Sequence, residues 1–315
     1  MSASFRVLIT APYFIPVLEE FREQMESEGI ELVILPVPER AAEKDLLEVI
    51  EDIDGVICGD DRFTERVLAR AARLKVISKW GTGIDSIDQE ACARRGVEVR
   101  NSPDAFSVPV ADTVLGYALA FTRRLPWMDR EMKEGAWRKG EGTTLAECTF
   151  GIVGVGRIGR QVARRAAAFG SRLLGNDIVE IPAEVLTATG MESVGLEELL
   201  SASDIVSLNC DLNPFSRGLI DADRITLMKP TAILINTARG PVVDEEALVA
   251  ALRSGRIAGA GLDVYEEEPL PADSPLRQLD NVLLAPHNAN ASPRARAGVH
   301  ENTVANLLEV LRRHR

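Results

Sequence analysis

The chain is poor in the residues from which metal-centred and disulfide-stapled proteins are built. Only four cysteines and three histidines occur in 315 residues. Cys58, Cys92, Cys148 and Cys210 are scattered, with no Cys-x-x-Cys pair. That arrangement lacks the zinc spacings and suits free thiols in a reducing compartment, so no metal site is expected. Positive charge is short as well: 36 Lys and Arg stand against 48 Asp and Glu, a net charge of −12. This balance argues against a nucleic-acid partner, because phosphates require a basic face. No apolar run approaches the roughly 20 residues that span a bilayer, so no membrane partner is expected. The start, Met1 to Pro12, has neither the basic stretch nor the long apolar core of a signal peptide. The expected location is cytoplasmic.

What remains is a globular balance, 46% hydrophobic and 27% charged, with length for two domains of ordinary size. Short apolar runs alternate with helical patterns. Val7–Thr10, Leu32–Pro36, Gly55–Cys58 and Val76–Lys79 read as buried strands, separated by helical spacing over Val17–Glu28, Ala42–Ile50 and Thr64–Ala72. A second series of strands runs through Phe150–Gly154, Arg172–Gly175, Ile205–Leu208, Ala232–Asn236, Ala258–Asp263 and Val282–Ala285. Strand–helix alternation of this kind predicts an α/β protein with two doubly wound parallel sheets. Between the series, Val108–Trp137 is helical with a break at Pro126, and Pro293–Arg315 forms a last helix that pattern alone assigns to neither domain.

The sharpest local signal is the stretch from Phe150 to Ala163, with Gly154, Gly156 and Gly159 between a strand and a helix. Such glycines turn the chain sharply out of a strand, let the backbone approach a pyrophosphate and pack helix on strand. The helix start then directs unsatisfied N–H groups at the phosphates. Asp177 ends the next apolar run, where a carboxylate accepts from ribose hydroxyls and would repel a 2′-phosphate; no arginine follows close by. NAD is therefore expected over NADP.

Downstream, three strand ends each carry a polar group: Arg239, the acids of Asp263–Glu268, and His287. The C-terminal ends of strands in an open α/β sheet face the ligand crevice. Hydride transfer at an alcohol carbon needs a base for the hydroxyl proton, and histidine titrates nearest neutrality. A carboxylate beside it fixes its tautomer, while an arginine fork grips a substrate carboxylate. Singly, each of these residues reads as an ordinary surface group. Their joint placement after separate strands points to chemistry.

On these motifs, together with Gly81–Asp88, Asn236–Leu248, Gly261–Pro269 and Pro286-His287, the chain resembles the D-isomer-specific 2-hydroxyacid dehydrogenases. The resemblance implies a Rossmann-type NAD domain inserted into a flavodoxin-like substrate domain: residues 102–286 within 1–101 plus 287–315. It assigns Arg239 to the substrate carboxylate, His287 to acid–base work and Glu268, the acid directly before the proline, to pairing with the histidine. Gly81, Thr82 and Gly83 would bind the substrate carboxylate through their backbone, and Asp263 would bind the nicotinamide amide. Val110, Arg157, Ile158, Cys210 and Thr237 would line the cofactor, NAD or NADH. A small anionic 2-hydroxy or 2-keto acid is implied as substrate, of the phosphoglycerate, hydroxypyruvate or glyoxylate class, and a homodimer is implied through helix Val108–Arg124 and the loop after it.

The chain also departs from the family. Asn209-Cys210-Asp211 replaces its histidine-x-proline turn, and Asn288-Ala289-Asn290 follows the histidine. Gly59 or Asp60 stands where phosphoglycerate dehydrogenases direct an arginine at the phosphate, which weighs against a phosphorylated substrate and leaves Arg62 as the alternative cation for one. Glu268 speaks against formate, for which the family uses glutamine. Phosphite oxidation and a non-catalytic NAD-sensing scaffold are the alternatives.

Overall fold

The computed structural model describes residues 5–315. Met1–Ser4, part of the N-terminal stretch read above for a leader, lie outside the described residues. The chain forms two compact units, one reaching to Phe106 and resuming at Ser292–Arg315, the other spanning Ser107–Ala291.

The first unit holds strands β1 (Phe5–Ile9), β2 (Ile30–Ile34), β3 (Gly55–Cys58), β4 (Val76–Lys79) and β5 (Glu98–Arg100). All pair in parallel, in the order β2-β1-β3-β4-β5. This is the flavodoxin-like winding. Helices α1 (Leu18–Ser27), α2 (Glu43–Val49), α3 (Glu65–Arg70) and α4 (Gln89–Arg95) make the crossovers. The starts of α3 and α4 are set by short polar side chains. Thr64 accepts the Val67 N–H and Asp88 the Ala91 N–H, a contribution of about 1 kcal/mol per helix start. The C-terminal helix Pro293–Arg312 packs on β3, β4 and β5 with Val299, Val304, Leu307, Leu308 and Leu311 buried. A Cβ at Gly55 would stand 2.8 Å from Leu307 Cδ1, so glycine there admits the helix to the sheet.

The second unit begins with α5 (Ser107–Thr122) and α6 (Leu125–Lys133). The helical stretch does break, but before the proline. Arg124 takes the left-handed φ of 53° and Pro126 sits in the first turn of α6, where its missing N–H costs nothing. The sheet then comprises β6 (Thr149–Val153), β7 (Arg172–Asn176), β8 (Glu192–Ser193), β9 (Ile205–Leu208), β10 (Ile233–Asn236), β11 (Gly259–Leu262) and β12 (Val282–Leu284). These are interleaved with α7 (Arg157–Ala168), α8 (Ala183–Thr189), α9 (Leu196–Ala202), α10 (Ala222–Leu227) and α11 (Glu245–Ser254). The all-parallel order β8-β7-β6-β9-β10-β11-β12 is the Rossmann winding with one further strand at the edge. Its order reverses between β6 and β9, which places the switch point beside the glycine loop.

Both unit boundaries fall a few residues later than Asn101 and Pro286, and hydrogen bonds explain why. Asn101 donates its amide to Thr82 O and the Ser102 N–H bonds Gly81 O, which ties this stretch to the first unit. At the other end, the N–H groups of His287, Asn288 and Ala289 all bond Asp263, so the histidine loop belongs to the second unit. The edge strands β5 and β8 had no apolar signature in the sequence: they are short, polar and incompletely buried, which is how exposed edges are kept from pairing.

Candidate active site

Three loops at the C-terminal ends of β10, β11 and β12 carry the expected trio. The first is shaped by Asn236, a buried residue whose amide donates to Arg239 O at 2.9 Å while its side-chain oxygen accepts the Ala238 N–H at 3.0 Å. This clamp holds the turn from which the Arg239 side chain departs. Gly240 follows, and a Cβ there would fall 1.9 Å from Tyr265 C and O. Only glycine lets the arginine loop lie against the loop after β11.

In that second loop, Glu266 and Glu267 are exposed, whereas Glu268 turns inward. Glu268 Oε1 accepts the Tyr265 N–H at 3.0 Å, and its Oε2 lies 2.9 Å from His287 Nδ1. The two side chains are 18% and 24% exposed, enough to be reached by a small molecule while partly shielded from water. Tyr265 itself is pinned: its hydroxyl donates to Ala285 O at 2.7 Å, across to the strand end that leads to the histidine.

His287 has a φ of 48°, a left-handed conformation that a residue with a side chain seldom adopts. It is imposed by Asp263. This buried acid takes the His287 N–H on its carbonyl at 2.8 Å and the Asn288 and Ala289 N–H groups on its carboxylate at 2.8 and 2.9 Å. Burial pushes the Asp263 carboxyl up while those N–H groups pull it down. Asp263 is thus an anchor of the histidine loop, and each of its oxygens retains a lone pair for the amide contact expected of it.

The glycine loop lies in the same unit. Gly154 has φ +86°, and a Cβ there would meet Cys210 N at 2.7 Å; at Gly159 it would meet Gly154 O at 2.0 Å. At Gly156, by contrast, an added Cβ meets nothing within 4 Å. Gly156 caps α7 without a side-chain bond, and both it and Arg157 are exposed, with Ile158 half-buried. The Asp177 carboxylate links the loop to β7, accepting the Val155 N–H at 2.7 Å and the Val179 N–H at 3.2 Å. Cys210 is half-buried beside Gly154, its thiol pushed up to about 11 by burial. Val110 is buried in α5. Thr237 Oγ1 is buried with no hydrogen-bond partner among the described residues. An open glycine, an uncapped helix start and an orphaned hydroxyl in one unit fit a dinucleotide with a phosphate at α7 and a polar edge at Thr237.

Gly81, Thr82 and Gly83 follow β4 in the first unit. Gly81 is buried at φ +123°, and Thr82 Oγ1 donates to Ser102 O at 3.0 Å. Just before them, Trp80 is buried, donates to His300 Nδ1 at 3.0 Å and stacks on Tyr13. Asp61 is buried and bonds Thr10 and the N–H groups of Ala41 and Gly59, while Arg62 is exposed. Sequence reasoning missed Asn236 and Tyr265 as positioning residues. An asparagine closing a strand before a tight turn was the legible signal for the first; the second holds Glu268 through its backbone N–H, which left none.

Residues 115–289 match the family described as D-isomer specific 2-hydroxyacid dehydrogenase, NAD binding domain. Over 98% of its length the chain is 38% identical to a D-3-phosphoglycerate dehydrogenase of Methanocaldococcus jannaschii, and it spans 57% of that longer relative. It is 42% identical to a glyoxylate reductase of Thermofilum pendens, covering 85% of this chain and 81% of that one. The structure of D-lactate dehydrogenase from Aquifex aeolicus complexed with NAD and lactic acid superposes with a TM-score of 0.86 at 27% identity, covering 98% and 94% of the two chains. With its two sheet orders, its glycine loop and this similarity, the chain belongs to the D-isomer specific 2-hydroxyacid dehydrogenase family, enzymes that use NAD.

Proposed function

We propose that this protein interconverts a small, unphosphorylated D-2-hydroxy acid and its 2-keto acid, with glyoxylate and hydroxypyruvate as the substrate class. The carrying observation is the Glu268–His287 contact at 2.9 Å beside the Arg239 loop. With Nδ1 against the carboxylate, His287 Nε2 is the nitrogen that exchanges a proton with the substrate oxygen on carbon 2. It takes that proton in oxidation and returns it in reduction. Glu268 holds the ring and stabilises its protonated form. Arg239 grips the substrate carboxylate with its planar fork. In the first unit, the Gly81–Gly83 loop is expected to offer backbone N–H groups to a carboxylate. Bound NAD supplies the hydride acceptor, and NADH the donor.

The choice against phosphate rests on Gly59 and Asp60, which stand where phosphoglycerate dehydrogenases direct an arginine; Asp60 sets a carboxylate beside Lys79 there, and Asp61 is buried against Thr10 and the Ala41 and Gly59 N–H groups. The sequences of two kinds of relative, a phosphoglycerate dehydrogenase and glyoxylate reductases, leave this as the discriminating feature. A panel of glyoxylate, hydroxypyruvate and phosphohydroxypyruvate with NADH and NADPH tests the reading. Turnover of the first two with NADH supports it; preference for the phosphorylated acid, or no turnover at all, overturns it.

A further inference from the structure

Lys79 ends β4 two residues before Gly81, a buried strand position that ordinarily carries a hydrophobe. Its side chain is 5% exposed. The ammonium donates to Trp80 O at 3.0 Å and lies 3.2 Å from Asp60 Oδ1, whose side chain is 36% exposed. A Cβ built on Gly81 would stand 3.4 Å from Lys79 Nζ, so the cation is seated against the backbone of the Gly81–Gly83 loop. Taking an ammonium out of water is costly, and an apolar side chain of the same length would serve the core as well. Asp61 also lies in the field of Lys79, while its oxygens accept hydrogen bonds from Thr10 and the Ala41 and Gly59 N–H groups. Asp60 makes the direct contact with the lysine.

We propose that Lys79 is a positioning residue for the substrate carboxylate. Its ammonium, held under Gly81, adds positive potential to the loop, and Asp60 attenuates it. The inference rests on the reading that this loop takes a carboxylate. It makes opposite predictions for two partners of one ion pair, which a merely structural pair does not. Lys79→Met should raise KM for the preferred 2-keto acid, and the inhibition constant of oxamate, on the order of tenfold. Its kcat should change less, and NADH affinity should stay as in the wild type. Asp60→Asn should lower both constants, by about threefold. Lys79→Arg should recover most of the loss. If Asp60→Asn raises KM or leaves it unmoved, the inference is overturned, and that variant decides alone should Lys79→Met fail to fold. No turnover of any 2-keto acid by the wild type would instead overturn the dehydrogenase reading and this inference with it.

Discussion

At the residue scale, the site is a set of side chains held by backbone groups. His287 keeps its left-handed backbone, which costs about 1–3 kcal/mol, because Asp263 takes three consecutive N–H groups around it. His287→Ala should lower kcat by roughly 10²–10⁴ with NADH affinity nearly unchanged, as stopped-flow turnover and fluorescence titration would measure; wild-type kcat would remove His287 from the chemistry. Glu268→Gln removes the charge that stabilises the protonated ring. Reduction needs that proton, so the variant should lose it at lower pH and its optimum for keto-acid reduction should move down. An unmoved pH profile would count against the pairing. Thr237 offers a different kind of test. A buried hydroxyl without a partner costs about 1–3 kcal/mol, so Thr237→Val should leave cofactor-free stability equal or higher. NADH binding should nonetheless weaken, by about two- to tenfold. A loss of stability without NADH, measured by urea unfolding, would mean the hydroxyl is satisfied within the protein.

At the element scale, strand ends and the glycines after them decide what can meet. Gly240 brings the loop after β10 against the loop after β11, with Tyr265 backbone where a Cβ would be. Gly240→Ala should therefore cost upwards of about 1–3 kcal/mol in chemical unfolding and lower kcat/KM, since Arg239 and Glu268 depart from the two loops it separates. An alanine variant of native stability and full activity would contradict that packing. The α5–α6 break illustrates how a sequence signal is displaced by local geometry. Pro126 marks the interruption, yet the turn lies at Arg124, because a proline fits the first turn of the helix that follows it. β5 and β8 were illegible for another reason: two or three polar residues at a sheet edge carry no period-two pattern.

For the whole molecule, two features matter: the division into two units and an apolar surface on the second. Leu125, Met132 and Trp137 are exposed hydrophobics, Trp137 at 80%, and Met128, Met132 and Trp137 line a shallow cavity of about 220 Å³. Large exposed apolar side chains on α6 and the segment just after it make a candidate association surface. The resemblance implies a homodimer through helix Val108–Arg124 and the loop after it, and a double variant tests whether this neighbouring face takes part. Light scattering should report a dimer for the wild type and monomer for Met132→Glu combined with Trp137→Glu. A monomeric wild type, or a dimer in the double variant, would refute that part. No helix among the described residues is long and apolar enough to cross a membrane.

By itself, the sequence determined that both sheets are parallel and covered by helices, because buried parallel strands are continuous apolar runs and crossover helices show helical spacing; the strand orders came from the structure. It also determined the dinucleotide loop, whose glycines are demanded by backbone geometry local to one turn. The roles of Arg239, Glu268 and His287 were legible only as three separate strand ends in a familiar motif. How Glu268 is turned towards the imidazole, why His287 tolerates a left-handed backbone and why the histidine loop stays with the second unit were decided by Tyr265 N–H and Asp263. Those contacts join residues far apart in the chain, and a hydrogen bond made through a backbone N–H leaves no trace in the identity of the residue that donates it.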